Sequence, residues 1–251
     1  MRAFNVDFYK EAQNRLVDDI EAAASSRFSY VLAANFSQLV CLNQHPELQQ
    51  AYAKASHCIC DNPALLPAFK LCKRDVPAVI PLRDLAETFL TRASQQGRPI
   101  TIVGGEPRLV RILRRRYPGV TINHHYPPVA HMHIPDVQEA CLRFISEHPA
   151  PIVLFSLPCP AQELLAMQAR DRGSIEGVGL CVGQALERLV EDEEPAPAWV
   201  QTLRLGRLHA KAQALDCSIT DLLRFAPIAA RQYWVSRAEQ GAAKQPVSPQ
   251  D

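Results

Sequence analysis

The chain has 251 residues, of which 47% are hydrophobic, so it is long enough to bury a core of its own. With 27 basic and 26 acidic residues its net charge is +1, which excludes a global field that would recruit nucleic acid or acidic lipid. The eight cysteines are scattered, mostly in apolar segments, and predict free thiols in a reducing compartment.

The amino-terminal segment carries one basic residue and no apolar stretch typical of a signal peptide, and no run of 18 apolar residues follows. We therefore expect a cytoplasmic protein that does not span a membrane. Hydrophobic residues at helical spacing predict a first helix over residues 8–23, and an apolar run predicts a buried strand over residues 28–34. A helix over residues 39–48 and a short strand over residues 57–61 follow.

Helices and strands then alternate along the chain. The predicted elements are helix 82–96, strand 100–103, helix 107–116, strand 119–123, helix 136–147, strand 151–156, helix 161–171 and strand 175–180. Such alternation requires crossover helices and a mainly parallel sheet. The predicted fold class is therefore α/β, with a Rossmann-like sheet and helices on both faces.

The strand pattern ends at Gly183, which suggests a division of the chain into three parts. We expect residues 1–183 to form the α/β core domain and residues 184–238 to form a helical C-terminal appendage. Residues 239–251 are small, polar and proline-bearing, and they predict a disordered tail.

Two of the predicted strands end in polar turns that contain glycine or proline. One strand runs into residues 104–107 (Gly-Gly-Glu-Pro), and another runs into residues 158–163 (Pro-Cys-Pro-Ala-Gln-Glu). Because open α/β sheets bind ligands where the carboxyl ends of their strands meet, the two turns predict one cleft.

Eight short blocks stand in a characteristic order between residues 28 and 210. They are Ala33-Ala34-Asn35 with Gln38-Leu39-Val40, Cys60-Asp61-Asn62, Asp84-Leu85, the pair Gly104-Gly105-x-Pro107 and Tyr117-Pro118-Gly119, Tyr126-Pro127-Pro128, Pro160-Ala161-Gln162-Glu163, Gly177-Val178-Gly179, and Ala196-Pro197-x-Trp199. In order and spacing they resemble motifs of the WecG/TagA/CpsF family of bacterial glycosyltransferases. The resemblance implies an enzyme that moves an N-acetylhexosamine-type sugar from a UDP donor to a lipid-linked acceptor in cell-surface polysaccharide synthesis.

The resemblance also implies roles for individual residues and partners. Asp61 would be the catalytic base, and the donor would be bound by Asn35, Asp84, Gly104, Gly105, His125, Gln162 and Gly179. The partners would be a UDP-sugar and a polyprenyl-diphosphate-linked acceptor, with no metal ion or other cofactor. Membrane contact would be peripheral, on the inner face of the cytoplasmic membrane, and a homo-oligomer is left open.

The chain departs from the family pattern at several positions. Ala33 stands in place of a threonine, Asn62 of a glycine, Val79 of an arginine, Gly183 of an aspartate, and Gly206-Arg207 of a Glu-Trp pair. These departures favour an alternative: a catalytically degenerate member that keeps the pocket as a nucleotide-sugar-binding or assembly partner. A third hypothesis, another kind of nucleotide-binding α/β enzyme, has no dinucleotide fingerprint in its favour.

The chemistry of sugar transfer gives separate reasons for two of these roles. The reaction needs a base for the acceptor hydroxyl and stabilisation of the departing diphosphate. Asp61 ends a predicted strand, where a carboxylate can face a cleft; the alternative is a loop aspartate that caps a helix near Ala64. Gly104 and Gly105 allow backbone amides to approach a phosphate at the start of helix 107–116, although an ordinary strand-to-helix turn has the same sequence.

Gln162 and Glu163 open a helix at the end of a strand. The Gln162 amide can hydrogen-bond sugar hydroxyls or the edge of a base, whereas Glu163 in the first turn is interpreted as a complement to the helix dipole. The arginines of helix 107–116 are interpreted as a solvated face.

The histidine and cysteine clusters do not predict a zinc site. In a strand Cys58 and Cys60 share one face while His57 lies on the other, and no second cysteine pair completes a tetrahedral ligand set. One of the two residues His124 and His125 is expected to line the cleft beside the turn at residues 126–128. The other is interpreted as a surface histidine.

In the predicted appendage, Arg204, Arg207 and Lys211 fall at positions i, i+3 and i+7, which places three cations on one helix face. Such a face can bind anionic lipid or a lipid diphosphate. An ordinary amphipathic helix packed on the core is the alternative. The family resemblance favours the first interpretation, in which these residues contact the acceptor or the membrane.

Overall fold

A computed structural model describes residues 2–191 and 219–242 of the chain. Two short strands, β1 (Arg2–Ala3) and β2 (Val6–Asp7), form an antiparallel hairpin before the main sheet. The strands of the main sheet are β3 (Ser29–Ala34), β4 (His57–Cys60), β5 (Pro99–Gly104), β6 (Thr121–His125), β7 (Ile152–Ser156) and β8 (Val178–Cys181). They lie in the order β4-β3-β8-β7-β5-β6, and every pair is parallel.

Ten α-helices occur in the described residues. They are α1 (Gln13–Ala23), α2 (Phe36–Gln44), α3 (Pro46–Lys54), α4 (Leu66–Leu71), α5 (Leu82–Gln96), α6 (Pro107–Arg116), α7 (Pro135–Glu147), α8 (Ala161–Arg172), α9 (Ala185–Glu191) and α10 (Ile219–Ala242). Single turns of 3₁₀-helix follow β4 and β6.

The side chains of the sheet divide between two hydrophobic cores. In β3, Tyr30 and Leu32 point into the core that contains α2, α3, α4, α7, α8 and α10, whereas Val31 and Ala33 point into the core that contains α1, α5, α6 and α9. Successive side chains of a strand face opposite sides, so this alternation requires helices on both faces. The predicted Rossmann-like α/β fold is confirmed.

Local differences from the predicted elements have identifiable causes. The helix expected over residues 39–48 is divided in two because Pro46, which has no N–H to donate, starts a new helix. The first helix begins at Gln13 because Phe8 pairs with Cys58 as an extended residue. Strand β6 begins two residues later than expected, since the Val120 N–H donates to Tyr117 O and keeps the preceding turn closed.

Helix α10 packs against the amino-terminal part of the chain. The Phe225 ring lies 4.8 Å from the Phe36 ring and 5.3 Å from the Phe4 ring, measured between centroids. The Phe4 N–H also donates to Gln232 Oε1 at 3.0 Å. The first and last described segments of the chain therefore share one hydrophobic cluster.

In the part of the chain that the structure covers, no helix is both long enough and apolar enough to cross a membrane. Seven cysteines lie among the described residues, and each is a free thiol. Cys58 and Cys60 are buried in β4, and the His57 ring packs against Tyr9 at 5.0 Å. Among these residues, no three His, Cys, Asp or Glu side chains gather in a way that could hold a metal ion.

Candidate active site

An open cleft lies where the carboxyl ends of the parallel strands meet. Its volume is about 510 Å³, which lies within the range of roughly 300–1,000 Å³ typical of small-molecule sites. Both turns singled out in the sequence contribute to it. Its polar and charged lining comes from Asn35, Ser37, Gln38, Asp61, Glu106, Tyr126, Ser156, Gln162, Gln184, Glu187 and Arg188.

Asn35 lies directly after β3 and starts α2. Its Oδ1 accepts a hydrogen bond from the Gln38 N–H at 3.1 Å, and Gln38 Oε1 accepts one from the Asn35 N–H at 3.1 Å. This reciprocal capping box satisfies two backbone donors at the helix start. Both side chains also line the cleft, so the cap holds them in place for a ligand.

Asp61 follows β4 and faces the cleft as a half-buried side chain. Its Oδ1 accepts a hydrogen bond from the Leu82 N–H at 2.7 Å, which attaches it to the first residue of α5. The alternative from the sequence, a cap near Ala64, is wrong for Asp61. The neighbouring Asn62 makes that cap instead, with its Oδ1 2.8 Å from the Ala64 nitrogen.

The glycine pair after β5 is required by close packing against β7. Gly104 and Gly105 have φ angles of +91° and +66°, and a Cβ atom at Gly104 would lie 2.1 Å from Ser156 O. The Gly105 N–H donates to the same Ser156 oxygen at 2.9 Å. The expectation that this amide faces a phosphate is therefore wrong, because the sheet already uses it. Gly105 and Glu106, which precede α6, line the cleft here.

The two histidines at the end of β6 have different surroundings. His124 Nε2 lies 3.0 Å from Gly104 O and 3.1 Å from Gly105 O, so it donates to the carbonyls of the glycine turn. The His125 ring stacks on Phe144 at 5.1 Å, and burial together with His124 lowers its pKa. His125, the predicted donor-binding residue, does not line the cleft; Tyr126, which is 48% exposed, lines it instead.

Gln162 lines the cleft from the first turn of α8 and is only 2% exposed. Its Oε1 accepts the Gly183 N–H at 2.9 Å, and that N–H is shared with Phe155 O at 3.1 Å. Its Nε2 donates to Glu163 Oε1 at 3.1 Å. The Gln162 amide thus connects α8 to the turn that follows β8.

Glu163 lies in the first turn of α8, where it was interpreted as a complement to the helix dipole, but its side chain is buried. Its side chain is 1% exposed, and desolvation by burial raises its pKa above the 4.5 of an exposed glutamate. Hydrogen bonds from its own backbone, Gln162 and Cys159 partly oppose this shift. Its Oε2 has no hydrogen-bond partner among the described residues. The other titratable groups near it are Cys41, Tyr52 and Cys181.

The raised pKa predicts a dependence of stability on pH. Glu163 binds a proton more tightly in the folded state than in the unfolded chain, so the bound proton stabilises the fold. This stabilisation is complete below about pH 4.5 and is lost as the pH rises through the folded-state pKa. The Glu163→Gln variant lacks the titration. We expect its melting temperature, relative to wild type, to increase between pH 4.5 and 8. A difference that stays constant over this range would contradict the assignment, and exposed Glu147→Gln is the control.

Ser156, the last residue of β7, lies at the centre of the cleft and was not predicted. Its Oγ is 2.8 Å from Gly183 O and 3.2 Å from Glu187 Oε1. Two side chains therefore fix the backbone of Gly183: Gln162 accepts a hydrogen bond from its N–H, and Ser156 donates one to its carbonyl oxygen. The available sequence signal for Ser156 was its place at the end of the predicted strand 151–156. In the structure its partner in the β5–β7 ladder is Gly104.

Several predicted site residues lie elsewhere. Asp84 is exposed in the first turn of α5 and does not line the cleft. Gly179 lies inside β8, where a Cβ atom would come within 2.9 Å of the Phe155 and Phe28 rings, so its glycine serves core packing. Arg204, Arg207 and Lys211 fall outside the described residues.

The sequence of the chain matches a known protein family. The family model described as "Glycosyl transferase WecG/TagA/CpsF family" matches residues 1–237. The chain belongs to this family. No curated protein matches the chain.

The protein is thus a member of a glycosyltransferase family that acts in cell-surface polysaccharide synthesis. The family expected from the sequence blocks is therefore confirmed. The match continues past Gly183 and covers α9 and most of α10.

Proposed function

We propose that this family member transfers a sugar of N-acetylhexosamine type from a UDP donor to a polyprenyl-diphosphate-linked acceptor. One observation carries the proposal: the fold brings Asn35, Asp61, Gly105 and Gln162 to a single cleft at the carboxyl ends of four strands. This is where open α/β sheets bind nucleotides. The size of the cleft supports a ligand larger than a single sugar.

In the proposed reaction Asp61 acts as the general base. The acceptor hydroxyl gives its proton to the Asp61 carboxylate while its oxygen attacks the anomeric carbon of the donor. The bond from that carbon to the diphosphate breaks, and UDP leaves with the bonding electron pair. The hydrogen bond from the Leu82 N–H holds the carboxylate in one orientation, which reduces the reorganisation needed at the moment of transfer.

The departing diphosphate needs positive charge, and we propose that no metal ion supplies it. Arg188 lines the cleft and carries a positive charge. However, Asp61, Glu106 and Glu187 also line it, so carboxylates outnumber guanidinium groups among the described lining residues. We propose that Arg188 supplies positive charge to the departing diphosphate.

The donor proposal predicts that UDP raises the melting temperature in the presence of EDTA. At a UDP concentration of 100 Kd the stabilisation is about 2.7 kcal/mol, which corresponds to roughly 5–10 °C for a domain of this size. Gln162→Ala should reduce the increase. An increase that requires added magnesium or manganese would contradict metal-free binding, and no increase under either condition would contradict the donor site.

Peripheral membrane contact is supported by the exposed side of α10. Leu223, Trp234 and Val235 are 71%, 65% and 45% exposed, and Arg231 and Arg237 are exposed on the same helix. Aromatic and aliphatic side chains beside arginines are typical of helices that lie in the membrane interface. We therefore propose that α10 and the predicted cationic face contact the membrane together.

For membrane contact we expect that replacing Arg204, Arg207 and Lys211 by glutamine weakens binding to anionic liposomes about 100-fold, since each cation near the surface contributes about 1 kcal/mol. Wild-type binding should weaken as salt increases. A matched variant with the same charge loss at exposed Arg98, Arg111 and Arg115 should bind nearly as wild type. Equal losses in the two variants would point to net charge rather than a specific face.

The degenerate family member is the second candidate function. The observation in its favour is that Asn62, which stands in place of a family glycine, has its side chain engaged in capping the next turn. Such a protein would bind UDP-sugars without turnover. Product formation from a panel of UDP-sugars and a polyprenyl-diphosphate-sugar acceptor distinguishes the two candidates.

A further inference from the structure

A buried pair of polar residues lies beneath the cleft. Gln162 and Glu163 are 2% and 1% exposed, and they are consecutive in the first turn of α8. Gln162 Nε2 donates to Glu163 Oε1 at 3.1 Å, while Gln162 Oε1 accepts from the Gly183 N–H at 2.9 Å. Only Gln162 of the pair lines the cleft.

The hydrogen bonds determine which way the Gln162 amide faces. The oxygen and nitrogen of an amide are nearly equal in size, so shape alone does not distinguish its two orientations. Rotation by 180° would place the NH₂ group against the Gly183 N–H and the amide oxygen against the Glu163 carboxyl. The contact with the Gly183 N–H would then be repulsive, and the contact with Glu163 would be repulsive while its carboxyl is ionised. The observed orientation satisfies both neighbours.

We propose that Glu163 is a positioning residue that fixes the Gln162 amide so that its second Nε2 hydrogen is donated to the ligand in the cleft. Gln162 then recognises an acceptor atom on that ligand, such as a carbonyl, hydroxyl or phosphate oxygen. The inference deepens the proposed donor site and rests on that proposal for the identity of the ligand. The fixed orientation itself does not depend on it.

The cost of burying Glu163 supports a functional reason for its presence. A carboxyl group in an apolar environment with one oxygen unpartnered among the described residues lowers the stability of the fold. Leucine or methionine would fill the same space without this cost. What a hydrocarbon side chain lacks is an acceptor for Gln162 Nε2.

The test compares Glu163→Met, which removes the acceptor, with Glu163→Gln, which keeps one. The first readout is the NMR order parameter of the Gln162 side-chain amide in protein labelled with ¹⁵N-glutamine, with the signal assigned from Gln162→Ala. We expect a value near 0.85 in wild type and in Glu163→Gln, and below about 0.6 in Glu163→Met. The second readout is UDP affinity, expected to fall about tenfold in Glu163→Met and less than twofold in Glu163→Gln.

The outcomes separate the inference from the donor proposal. A rigid Gln162 amide in folded Glu163→Met overturns the positioning role. If Glu163→Met does not fold, the order parameter of the wild type is the test, because a mobile Gln162 amide in the wild type also overturns the positioning role. A mobile Gln162 amide in Glu163→Met supports the positioning role. If the UDP affinity is nevertheless unchanged in Glu163→Met and in Gln162→Ala, the donor site is contradicted.

Discussion

Replacing Asp61 by asparagine is expected to lower turnover by about 10²- to 10⁴-fold, the usual contribution of a general base. Asparagine keeps the shape of the side chain but cannot take the proton of the acceptor hydroxyl. Its Oδ1 can still accept from the Leu82 N–H, so the attachment to α5 should survive. We expect the melting temperature and the affinity for UDP to stay close to wild type, measured alongside product formation.

The matched control is Asp136→Asn. Asp136 lies in the first turn of α7, where it is exposed and does not line the cleft. Its replacement should leave turnover unchanged. A turnover ratio near one for Asp61→Asn would exclude the catalytic role, whereas a wild type with no turnover on any donor would favour the degenerate family member.

Gly104→Ala is expected to lower the free energy of unfolding by about 3 kcal/mol or more. The new Cβ would lie 2.1 Å from Ser156 O, a backbone atom, so β7 would have to shift. The φ angle of +91° adds strain for any residue with a side chain. A loss of this size lowers the melting temperature by roughly 6–12 °C in a domain of this size.

Gly97→Ala separates the two causes of this instability. Gly97 has a φ angle of +63°, but a Cβ atom there meets nothing within 4 Å. We expect a loss of about 1–2 kcal/mol from the backbone angle alone. Equal losses in the two variants would mean that the contact with Ser156 is relieved at little cost. Because unfolding also removes ligand binding, Gly104 variants do not test the phosphate site.

Much of the fold could be predicted because single elements carry their own boundary signals. Helix α5 begins and ends at the predicted residues, since Gly97 takes the left-handed conformation that ends a helix. Helix α6 also has its predicted bounds, with Pro107 at its start. The β1–β2 hairpin was not predicted because its strands have two residues each, too few for a periodic pattern.

The candidate site could be predicted where a site residue stands at or near the end of a predicted strand. Asp61 was chosen because it ends a predicted strand, Gln162 because it begins the helix after one, and Asn35 from the family resemblance; all three line the cleft. Gly179 was chosen from a glycine motif, but the Phe28 and Phe155 rings that require it come from distant parts of the sequence. Such packing requirements depend on strand order and register, and neither can be read from one chain.

The contact between α10 and Phe4 has a consequence for synthesis of the protein on the ribosome. The hydrogen bond from the Phe4 N–H and the ring contact with Phe225 join residues that are more than 200 positions apart in sequence. Phe4 therefore emerges more than 200 residues before Phe225 and Gln232, and its native environment is incomplete until they follow. Until then the apolar surface of Phe4 and Phe36 stays uncovered on the α10 side, which makes this patch a natural place for a chaperone to bind the nascent chain.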